Sequence, residues 1–264
     1  MSIKKIFTIA CLATSALYIQ AADHCCKSLN IVSYNVRNGI GIDNVNNLSR
    51  TISTLRSTSP EIVCLQELDS VTGRMNQRYV LGELADSLNM HPSFAPAIDF
   101  MDGKYGIGIL SRTKPISTKI VPLPGREEAR TLLIAEFPEY VIACTHLSLT
   151  PDDQLLSIPI IEKEAEQWSK PFILAGDLNT EIPSATIDAL NKSFVIISQT
   201  ETPTHPSDKP QDLIDYILID KAHAKEIKVT EAKAITGTIA SDHIPQFITI
   251  ELKCDKKCCF RKAL

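Results

Sequence analysis

The sequence lacks an excess of positive charge. It has 27 lysine and arginine residues against 31 aspartate and glutamate residues, which gives a formal net charge of −4 at pH 7. Proteins that bind nucleic acids usually present a basic surface, so the composition argues against such a partner unless a cleft is locally basic or loaded with metal. Glycine is also scarce, with 10 residues in 264, while 44% of the residues are hydrophobic. These values exclude a disordered or collagen-like chain.

Hydrophobic runs long enough to cross a membrane are lacking as well. The run near the N terminus, residues 6–19, has 14 residues, whereas a spanning helix needs roughly 20. Lys4 and Lys5 precede this run, and the small residues Ala21 and Ala22 follow it. This order of a basic start, an apolar stretch and a small-residue cleavage site is typical of a secretory signal peptide rather than a membrane anchor.

The N-terminal pattern therefore predicts an exported protein, either periplasmic or secreted. Residues 1–22 are assigned to the signal peptide and residues 23–264 to one mature domain. A lipoprotein acylated at Cys11 is less favoured, because only five apolar residues would precede the modified cysteine. No linker, repeat or low-complexity segment divides the mature chain, and a monomer is expected.

Five of the eight cysteines lie near the two ends of the mature chain. They are Cys25, Cys26, Cys254, Cys258 and Cys259. Export to an oxidising compartment favours disulfides among them, and the pairing stays open. A Cys/His metal site that uses His24 is the alternative, although the paired CxxC spacing of zinc modules is lacking. Cys64 and Cys144 lie in apolar segments and are predicted to be buried thiols.

Short apolar segments separated by glycine and proline predict many strands. They cover residues 29–36, 61–66, 93–98, 105–111, 116–121, 130–137, 139–145, 172–176, 194–197, 213–219, 227–234 and 246–252. Apolar residues at helical spacing predict helices near 45–55, 81–88 and 152–168, with Pro159 expected to kink or split the last one. Many strands with few helices predict an α/β domain in which two sheets pack face to face, with helices outside.

Polar residues follow or begin several of these apolar segments, where stability alone gives no reason for them. They are Asn35, Glu67, His146, Asp177, Asn179, Asp215, Asp242 and His243. Taken alone, a carboxylate after a strand is usually a turn residue or a helix cap, and a lone histidine is more often a solvated or hydrogen-bonded side chain. Together they predict a functional site, because side chains at the ends of strands are held on a rigid scaffold and converge at one edge.

The segments that carry these residues resemble the successive motifs of the endonuclease/exonuclease/phosphatase superfamily, which includes deoxyribonuclease-like and sphingomyelinase-like metal-dependent hydrolases. In order, they are Ser33-Tyr34-Asn35-Val36-Arg37, Leu65-Gln66-Glu67, Thr145-His146-Leu147, Gly176-Asp177-Leu178-Asn179, Ile214-Asp215-Tyr216-Ile217 and Ser241-Asp242-His243. The order and the spacing match over about residues 29–252. The resemblance implies a four-layer sandwich of two packed mixed β-sheets flanked by helices, and hydrolysis of phosphoester bonds with a divalent metal.

The resemblance also implies a metal site. Glu67 is the principal metal ligand in this interpretation, Asn35 offers an amide oxygen beside it, and Asp242 is a further ligand. Oxygen donors with one or two carboxylates suit Mg²⁺, with Mn²⁺ as a substitute. The cation would neutralise the phosphate and the charge that develops on it.

The remaining motif residues receive catalytic roles by the same resemblance. Asp177 orients or deprotonates the attacking water, and Asn179 donates to a phosphate oxygen. Asp215 holds His243, which acts either as a base or as a phosphate clamp. His146 binds or protonates the phosphate from the other side. Arg130 is a candidate for substrate binding on separate grounds, because it begins a predicted strand after Glu127 and Glu128 and could face the cleft; an exposed arginine at the start of a strand is the alternative.

The substrate is left open by the sequence. A nuclease or a generic phosphodiesterase comes first, because basic residues in predicted loops offer contacts to a phosphate chain; they are Arg74, Arg78, Lys104, Arg112, Lys114 and Arg126. A sphingomyelinase-like phospholipid phosphodiesterase is the alternative, although a single tryptophan gives little for an aromatic membrane hairpin. A catalytically inert protein that binds a phosphorylated partner is a further alternative.

Overall fold

The computed structural model describes residues 27–253. The predicted signal peptide and all five terminal cysteines lie outside the described residues. Within the described range the chain forms twelve strands: β1 (Lys27–Asn35), β2 (Ile62–Ser70), β3 (His91–Phe100), β4 (Gly103–Ser111), β5 (Ser117–Leu123), β6 (Arg130–Glu136), β7 (Val141–His146), β8 (Phe172–Asp177), β9 (Phe194–Ile196), β10 (Asp215–Asp220), β11 (Ile227–Ala234) and β12 (Gln246–Leu252). The four α-helices of this range are α1 (Leu48–Ser57), α2 (Val80–Leu88), α3 (Pro151–Ala165) and α4 (Ala185–Ser193).

The strands form two six-stranded sheets. The first has the order β11-β12-β1-β2-β4-β3, and the second has the order β5-β6-β7-β8-β10-β9. Each sheet contains one parallel pair near its middle, β1 with β2 and β7 with β8, among antiparallel neighbours. Both sheets are therefore mixed, as the sequence analysis expected.

Three apolar cores separate the layers. The central core joins the facing sides of the two sheets, with residues such as Ile31, Ile142 and Ile217. A second core packs α1 and α2 against the first sheet, and a third packs α3 and α4 against the second. Strands β7, β8 and β10 are buried along their whole length because both of their faces are covered. The predicted four-layer α/β sandwich is confirmed.

One edge of the sandwich collects the ends of strands from both sheets. The carboxyl ends of the parallel strands β1 and β2 lie there in the first sheet, and those of β7 and β8 in the second. Strands β10 and β12 run antiparallel to these, so their first residues lie at the same edge. The predicted site residues are therefore brought together by topology.

Two local expectations are corrected by the structure. Glu67 does not end its strand: β2 continues to Ser70, and its pairing with β4 shifts register between Leu65 and Leu68. A bulge of this kind lets a strand redirect one side chain without ending. Helix α3 is not split at Pro159. Pro159 and Leu155 are both exposed, so water can replace the backbone hydrogen bond that proline removes.

Cys64 and Cys144 are both buried free thiols, as predicted. They lie on the facing sides of β2 and β7 within the central core. In the described part of the chain, no helix is both long enough and apolar enough to cross a membrane.

Candidate active site

Three neighbouring strands of the second sheet place a histidine and two carboxylates side by side. His146 ends β7, Asp177 ends β8, and Asp215 begins β10. The register pairs Asp177 with both His146 and Asp215 across the ladder. Because residues paired across a ladder point to the same face, the three side chains project together into the space between the sheets.

His243 completes this group from the first sheet. It lies on the segment before β12, and its Nδ1 is 2.9 Å from Asp215 Oδ2. Both side chains are at least nine-tenths buried. Ser241 fixes the segment, since its hydroxyl donates to the Asn35 carbonyl at 2.7 Å and accepts from the His243 N–H at 3.2 Å. The imidazole is therefore held at one nitrogen while the other, Nε2, points toward Asp177.

Asp177 lies at the centre of the cluster. Its Oδ2 accepts a hydrogen bond from Asn35 Nδ2 at 3.1 Å. The same oxygen is 3.6 Å from His146 Nε2 and 3.7 Å from His243 Nε2. Its other oxygen accepts from the Asn179 backbone N–H at 2.9 Å. Asp177, only 1% exposed, is thus fixed in orientation by both of its oxygens.

Asn179 follows two residues after Asp177, in the left-handed backbone region with φ of 49°. Asparagine tolerates this region better than most residues, which explains the turn at this point. Its side-chain Nδ2 donates to the Leu147 carbonyl at 2.9 Å. An amide nitrogen carries two N–H donors, so Asn179 retains one for a ligand in the cleft.

The two histidines of the cluster have opposite electrostatics. Burial lowers the pKa of His146 to about 4, because the nearby Arg130 and His243 add to desolvation and outweigh Asp177. Burial also disfavours a charged His243, but Asp215 and Asp177 outweigh it and raise the pKa of His243 to about 10. At neutral pH the site therefore holds one neutral imidazole and one imidazolium.

Glu67 faces this cluster from the first sheet, across Asn35. Asn35 Nδ2 donates to Glu67 Oε1 at 2.9 Å as well as to Asp177. Glu67 has a φ of 57°, an uncommon conformation for a residue with a side chain. Burial raises the pKa of Glu67; Asp242 and Asp177 raise it further against the opposing effects of Asn35 and His243.

Asp242 and Arg37 meet at the same edge. Arg37 Nε is 3.3 Å from Asp242 Oδ2, and the Arg37 backbone N–H donates to Asn35 Oδ1 at 3.2 Å. His205 stacks obliquely on His243, with 4.8 Å between the ring centres. The geometry therefore brings together every residue predicted for catalysis and metal binding.

The donor set at this edge fits a hard divalent cation. Glu67, Asp177 and Asp242 place carboxylates close enough that they raise the pKa of Glu67, and a cation would relieve that repulsion. Asn35 directs its Nδ2, not its oxygen, at the carboxylates, so it would become a ligand only with the amide turned. A second set, Asp177 with Asp215 and His243, also has ligand atoms within 4.8 Å of one another.

That second set already forms an internal contact. Asp215 Oδ2 and His243 Nδ1 are bound to each other at 2.9 Å, which occupies a donor atom of each. Mg²⁺ prefers oxygen ligands over imidazole. Asp215 and His243 therefore form a hydrogen-bonded pair, and the assignment of the cation to Asn35, Glu67 and Asp242 stays a prediction.

Arg130 lies beside the cluster but does not point free into the cleft. Its side chain is 7% exposed, and Nη1 and Nη2 donate to Glu128 and Glu127 at 3.0 and 3.4 Å. It lines a small cavity that His146 also lines. The sequence placed Arg130 correctly near the site but gave no sign that two preceding glutamates would bind it.

The basic residues considered for contacts to a phosphate chain are largely engaged elsewhere. Four form ion pairs within the chain: Arg74 with Asp69, Arg78 with Glu83, Lys104 with Asp99 and Arg126 with Asp153. Arg112 and Lys114 follow Ser111, which pairs with Ile62 at the edge opposite Glu67. None of these six residues therefore lines the cleft as an unpaired cation in the way that the sequence analysis expected.

Sequence reasoning missed a layer of polar residues directly beneath the cluster. Ser33, Gln66 and Gln246 are fully buried, and Gln246 Nε2 donates to the Asp215 carbonyl at 3.2 Å. Gln66 Nε2 contacts Cys144 Sγ at 3.4 Å. Only Ser33 has a signal in the sequence: it lies two positions before Asn35 in an apolar strand, and alternate residues share a face. Gln66 and Gln246 have apolar residues or cysteine two positions away on either side, so no alternation marks them.

Comparison with known proteins identifies a family and several solved structures with the same fold. The sequence pattern of the Endonuclease/Exonuclease/phosphatase family matches residues 32–243. Among curated proteins, none matches this sequence. Solved structures with the same fold include an endonuclease/exonuclease/phosphatase from Beutenbergia cavernae, which is 20% identical with a TM-score of 0.72. The match covers 86% of this chain and 72% of that one.

Two further solved structures share this fold. A mannosyl-6-phosphatase from Bacteroides thetaiotaomicron is 14% identical with a TM-score of 0.64, over 86% of this chain and all of that one. A humanised TDP2 from D. rerio is 20% identical with a TM-score of 0.64, over 84% of this chain and 98% of that one. At these identities the likeness concerns the fold.

Proposed function

The chain belongs to the endonuclease/exonuclease/phosphatase family, and from that membership we propose that it is an exported, Mg²⁺-dependent hydrolase of phosphodiester bonds. Endonucleases, exonucleases and phosphatases all cleave phosphoester bonds, so membership itself assigns phosphoester hydrolysis. The dependence on Mg²⁺, the preference for diesters and the export are the parts that need experiment.

The observation that carries this proposal is the position of Asp177 Oδ2. It lies within 3.7 Å of an imidazole nitrogen from His146 and another from His243, and Asn35 fixes it at 3.1 Å. A carboxylate held in this way accepts the proton of a water that attacks phosphorus. His146 and His243 flank it on either side, where the phosphate oxygens of a bound substrate would lie.

His243 contributes positive charge. Asp215 holds its Nδ1 at 2.9 Å, so Nε2 carries a proton toward the cleft. An imidazolium beside the phosphate stabilises the negative charge that grows on its oxygens in the transition state. The neutral His146 offers a hydrogen bond from the opposite side, and Asn179 donates its remaining N–H to another phosphate oxygen.

Glu67 and Asp242 would hold the cation, with Asn35 beside them. When bound there, Mg²⁺ supplies charge neutralisation to the phosphate and to the leaving oxygen. Arg37 Nε lies 3.3 Å from Asp242 Oδ2 and restrains that carboxylate. Asp242 would therefore bind the cation through a water molecule, or directly once the contact with Arg37 is released.

The test is hydrolysis by purified mature protein on plasmid DNA, sphingomyelin liposomes and bis-(p-nitrophenyl) phosphate. Each substrate is assayed with Mg²⁺, Mn²⁺ or EDTA. Asp177→Asn removes the proton acceptor with almost no change of shape, and Asp188→Asn makes the same change at an exposed position on α4. Turnover is expected to need metal, to fall by at least about 100-fold in Asp177→Asn, and to persist in Asp188→Asn.

Turnover that survives EDTA, or that is equal in the two variants, would overturn the assigned mechanism. Metal binding with no turnover on any substrate would instead favour the inert phosphate-binding protein. The preferred substrate among the three then selects between nuclease, small-molecule phosphodiesterase and lipid phosphodiesterase.

A phospholipid phosphodiesterase is the second candidate because two apolar side chains extend from the site edge. Met101, at the turn between β3 and β4, is 53% exposed, and the neighbouring Val71 is 42% exposed. The β3–β4 hairpin extends past Glu67, since Lys104 pairs with Ser70. In the liposome assay, Met101→Ser is expected to weaken hydrolysis of sphingomyelin but not of bis-(p-nitrophenyl) phosphate if this candidate is correct.

Export is proposed from residues 1–22 and is tested by N-terminal sequencing of the protein recovered outside the cytoplasm. A mature start near residue 22 or 23 supports signal cleavage. Mass spectrometry with and without reductant, after thiol labelling, counts the disulfides among the terminal cysteines. A full-length, cell-associated protein with five free terminal thiols would contradict both proposals.

A further inference from the structure

A small cavity adjoins the catalytic cluster at His146. Tyr105, Glu128, Arg130, Thr131 and His146 line it. His146 therefore forms a wall of both the cavity and the catalytic site. The volume open to water-sized groups is about 10 Å³, which is the room that a single water molecule or hydroxyl group needs.

Arg130 presents an unpaired donor here. Its two terminal nitrogens are bound by Glu128 and Glu127, while its Nε is buried and has no hydrogen-bond partner among the described residues. A buried N–H without an acceptor is energetically costly. A hydrogen-bond acceptor that enters the cavity beside Arg130 Nε would remove this cost. The two glutamates already balance its charge, which removes the attraction for a second phosphate.

Acceptor capacity lies next to this donor. Glu128 uses one carboxylate oxygen for Arg130, and a carboxylate has about four sites that can accept hydrogen bonds. Tyr105 also lines the cavity, and its phenol hydroxyl can both donate and accept. The cavity thus combines a donor from Arg130 with acceptors from Glu128 and Tyr105.

We propose that this cavity is a subsite for one hydroxyl group of the substrate, and that the enzyme acts on phosphoesters of polyols such as sugars or glycerol. A hydroxyl accepts from Arg130 Nε and donates to Glu128 at the same time, whereas an alkyl group would leave the Nε–H without an acceptor. The cavity is too small for a ring or a second phosphate. This inference rests on the proposed function, because it places the esterified phosphate at Asp177 and the two histidines.

The test compares the binding of glycerol 2-phosphate and isopropyl phosphate by isothermal titration calorimetry with Mg²⁺. The two share a branched three-carbon skeleton and the same charge, and differ only in hydroxyl groups. Glycerol 2-phosphate is expected to bind about tenfold more tightly, the effect of a hydrogen bond to a charged group. Binding needs no turnover, and hydrolysis of bis-(p-nitrophenyl) phosphate is measured separately.

Variants of the lining assign the preference to this cavity. Arg130→Lys keeps the charge but removes the Nε–H donor, and Glu128→Met removes the acceptor at similar length; either is expected to bring the affinity ratio below about threefold. Glu166→Gln is the control, because Glu166 is exposed near the far end of α3, roughly 20 Å along the helix from Asp153.

Equal affinities in the wild-type protein, or no binding of either phosphate, would overturn the subsite. An affinity ratio that both lining variants leave unchanged would overturn it as well. If the ratio is as expected but bis-(p-nitrophenyl) phosphate is not hydrolysed, the subsite stands and the proposed function fails. If bis-(p-nitrophenyl) phosphate is hydrolysed but the two phosphates bind with equal affinity, the proposed function stands and the subsite fails.

Discussion

Asp215 influences a phosphate only through His243. Its Oδ2 holds His243 Nδ1 at 2.9 Å, and its charge helps raise the pKa of that imidazole to about 10 despite burial. In Asp215→Asn the amide removes this charge, so the pKa of His243 is expected to fall toward its ordinary value of about 6.5. A fall of at least about 100-fold in kcat is expected on bis-(p-nitrophenyl) phosphate. NMR titration of the imidazole measures the pKa directly.

A second His–Asp pair in the same protein provides the control. His223 Nδ1 is 2.5 Å from Asp220 Oδ2 beside Trp168, in a cavity separate from the catalytic cluster. Asp220→Asn breaks this pair and is expected to lower stability while leaving kcat within about threefold. Equal losses of kcat in the two variants would show that general destabilisation explains the effect of Asp215→Asn.

Glu127 is a residue whose ionisation supports stability at acidic pH. Its carboxylate accepts from the Ser148 hydroxyl and the Leu149 backbone N–H, each at 2.7 Å at its shortest, and also from Arg130. Burial opposes ionisation, but these bonds outweigh it and lower the pKa of Glu127 to about 2. Because the folded pKa lies below the unfolded value of about 4.3, the stabilisation is complete above that pH and is lost as pH falls toward 2.

The corresponding variant is Glu127→Gln. At pH 7 it is expected to lower the free energy of unfolding by roughly 1.5 kcal/mol, the low end for hydrogen bonds to a charged group, because the side chain is partly exposed. Urea unfolding at pH 7, 4 and 2.5 should show the difference from the wild type shrinking as pH falls. A difference that stays constant with pH would contradict the assignment.

At the scale of an element, α3 contains an interior proline that costs the helix one backbone hydrogen bond. Pro159 lies in the interior of Pro151–Ala165 and lacks the N–H that would reach the Leu155 carbonyl. Pro159→Ala restores that donor at an exposed position, and the gain is expected to exceed the extra entropy of the unfolded chain by roughly 1 kcal/mol. Differential scanning calorimetry should show Tm higher by about 3 °C.

Pro151→Ala is the matched control for that change. Pro151 occupies the first turn, where the backbone N–H has no intrahelical acceptor and proline is well suited. No gain in Tm is expected there, and a small loss is the natural result of a more flexible unfolded chain. An equal rise of Tm in both variants would show that the hydrogen bond to Leu155 is not the cause.

Elements also show where the sequence pattern stops predicting. The strand that carries Glu67 was predicted to end before it, because the apolar pattern of β2 is broken there; pairing with β4 continues it to Ser70. Strand β3 was predicted over residues 93–98 despite Pro96, and the structure extends it to His91–Phe100, which includes Pro92 as well. Its position at the edge of the sheet explains why both prolines are tolerated. The local sequence pattern located these strands, but pairing with the neighbouring strands determines where they begin and end.

For the whole molecule, the layers and the location of the site were predictable, and its fine electrostatics were not. Periodicity and family-like motifs placed Asn35, Asp177 and His243 correctly, because the topology of the sheets brings the ends of their strands to one edge. The binding of Arg130 by Glu127 and Glu128 depends on side-chain orientation in a loop, which leaves no periodic signal. The cavity beside His146 is lined by residues of both sheets, so the sequence pattern could not predict it either.

A cation that binds only the folded site should stabilise the whole domain. The proposed ligands Glu67, on β2, and Asp242, on the segment before β12, come together only when the first sheet is folded. A ligand at about 100 times its dissociation constant stabilises the folded state by about 2.7 kcal/mol. Thermal denaturation in saturating Mg²⁺ is therefore expected to raise Tm by roughly 5 °C over EDTA in the wild type.

Variants of the two candidate ligand sets decide where the cation binds. Glu67→Gln is expected to abolish the Mg²⁺-dependent rise in Tm, because it removes the principal carboxylate and its charge. Asp215→Asn should keep the rise, since Asp215 is bound to His243, and the exposed Asp188→Asn should keep it as well. A rise that persists in Glu67→Gln but disappears in Asp215→Asn would move the cation to Asp177, Asp215 and His243. In that case Glu67 would hold Asn35 in place rather than a metal.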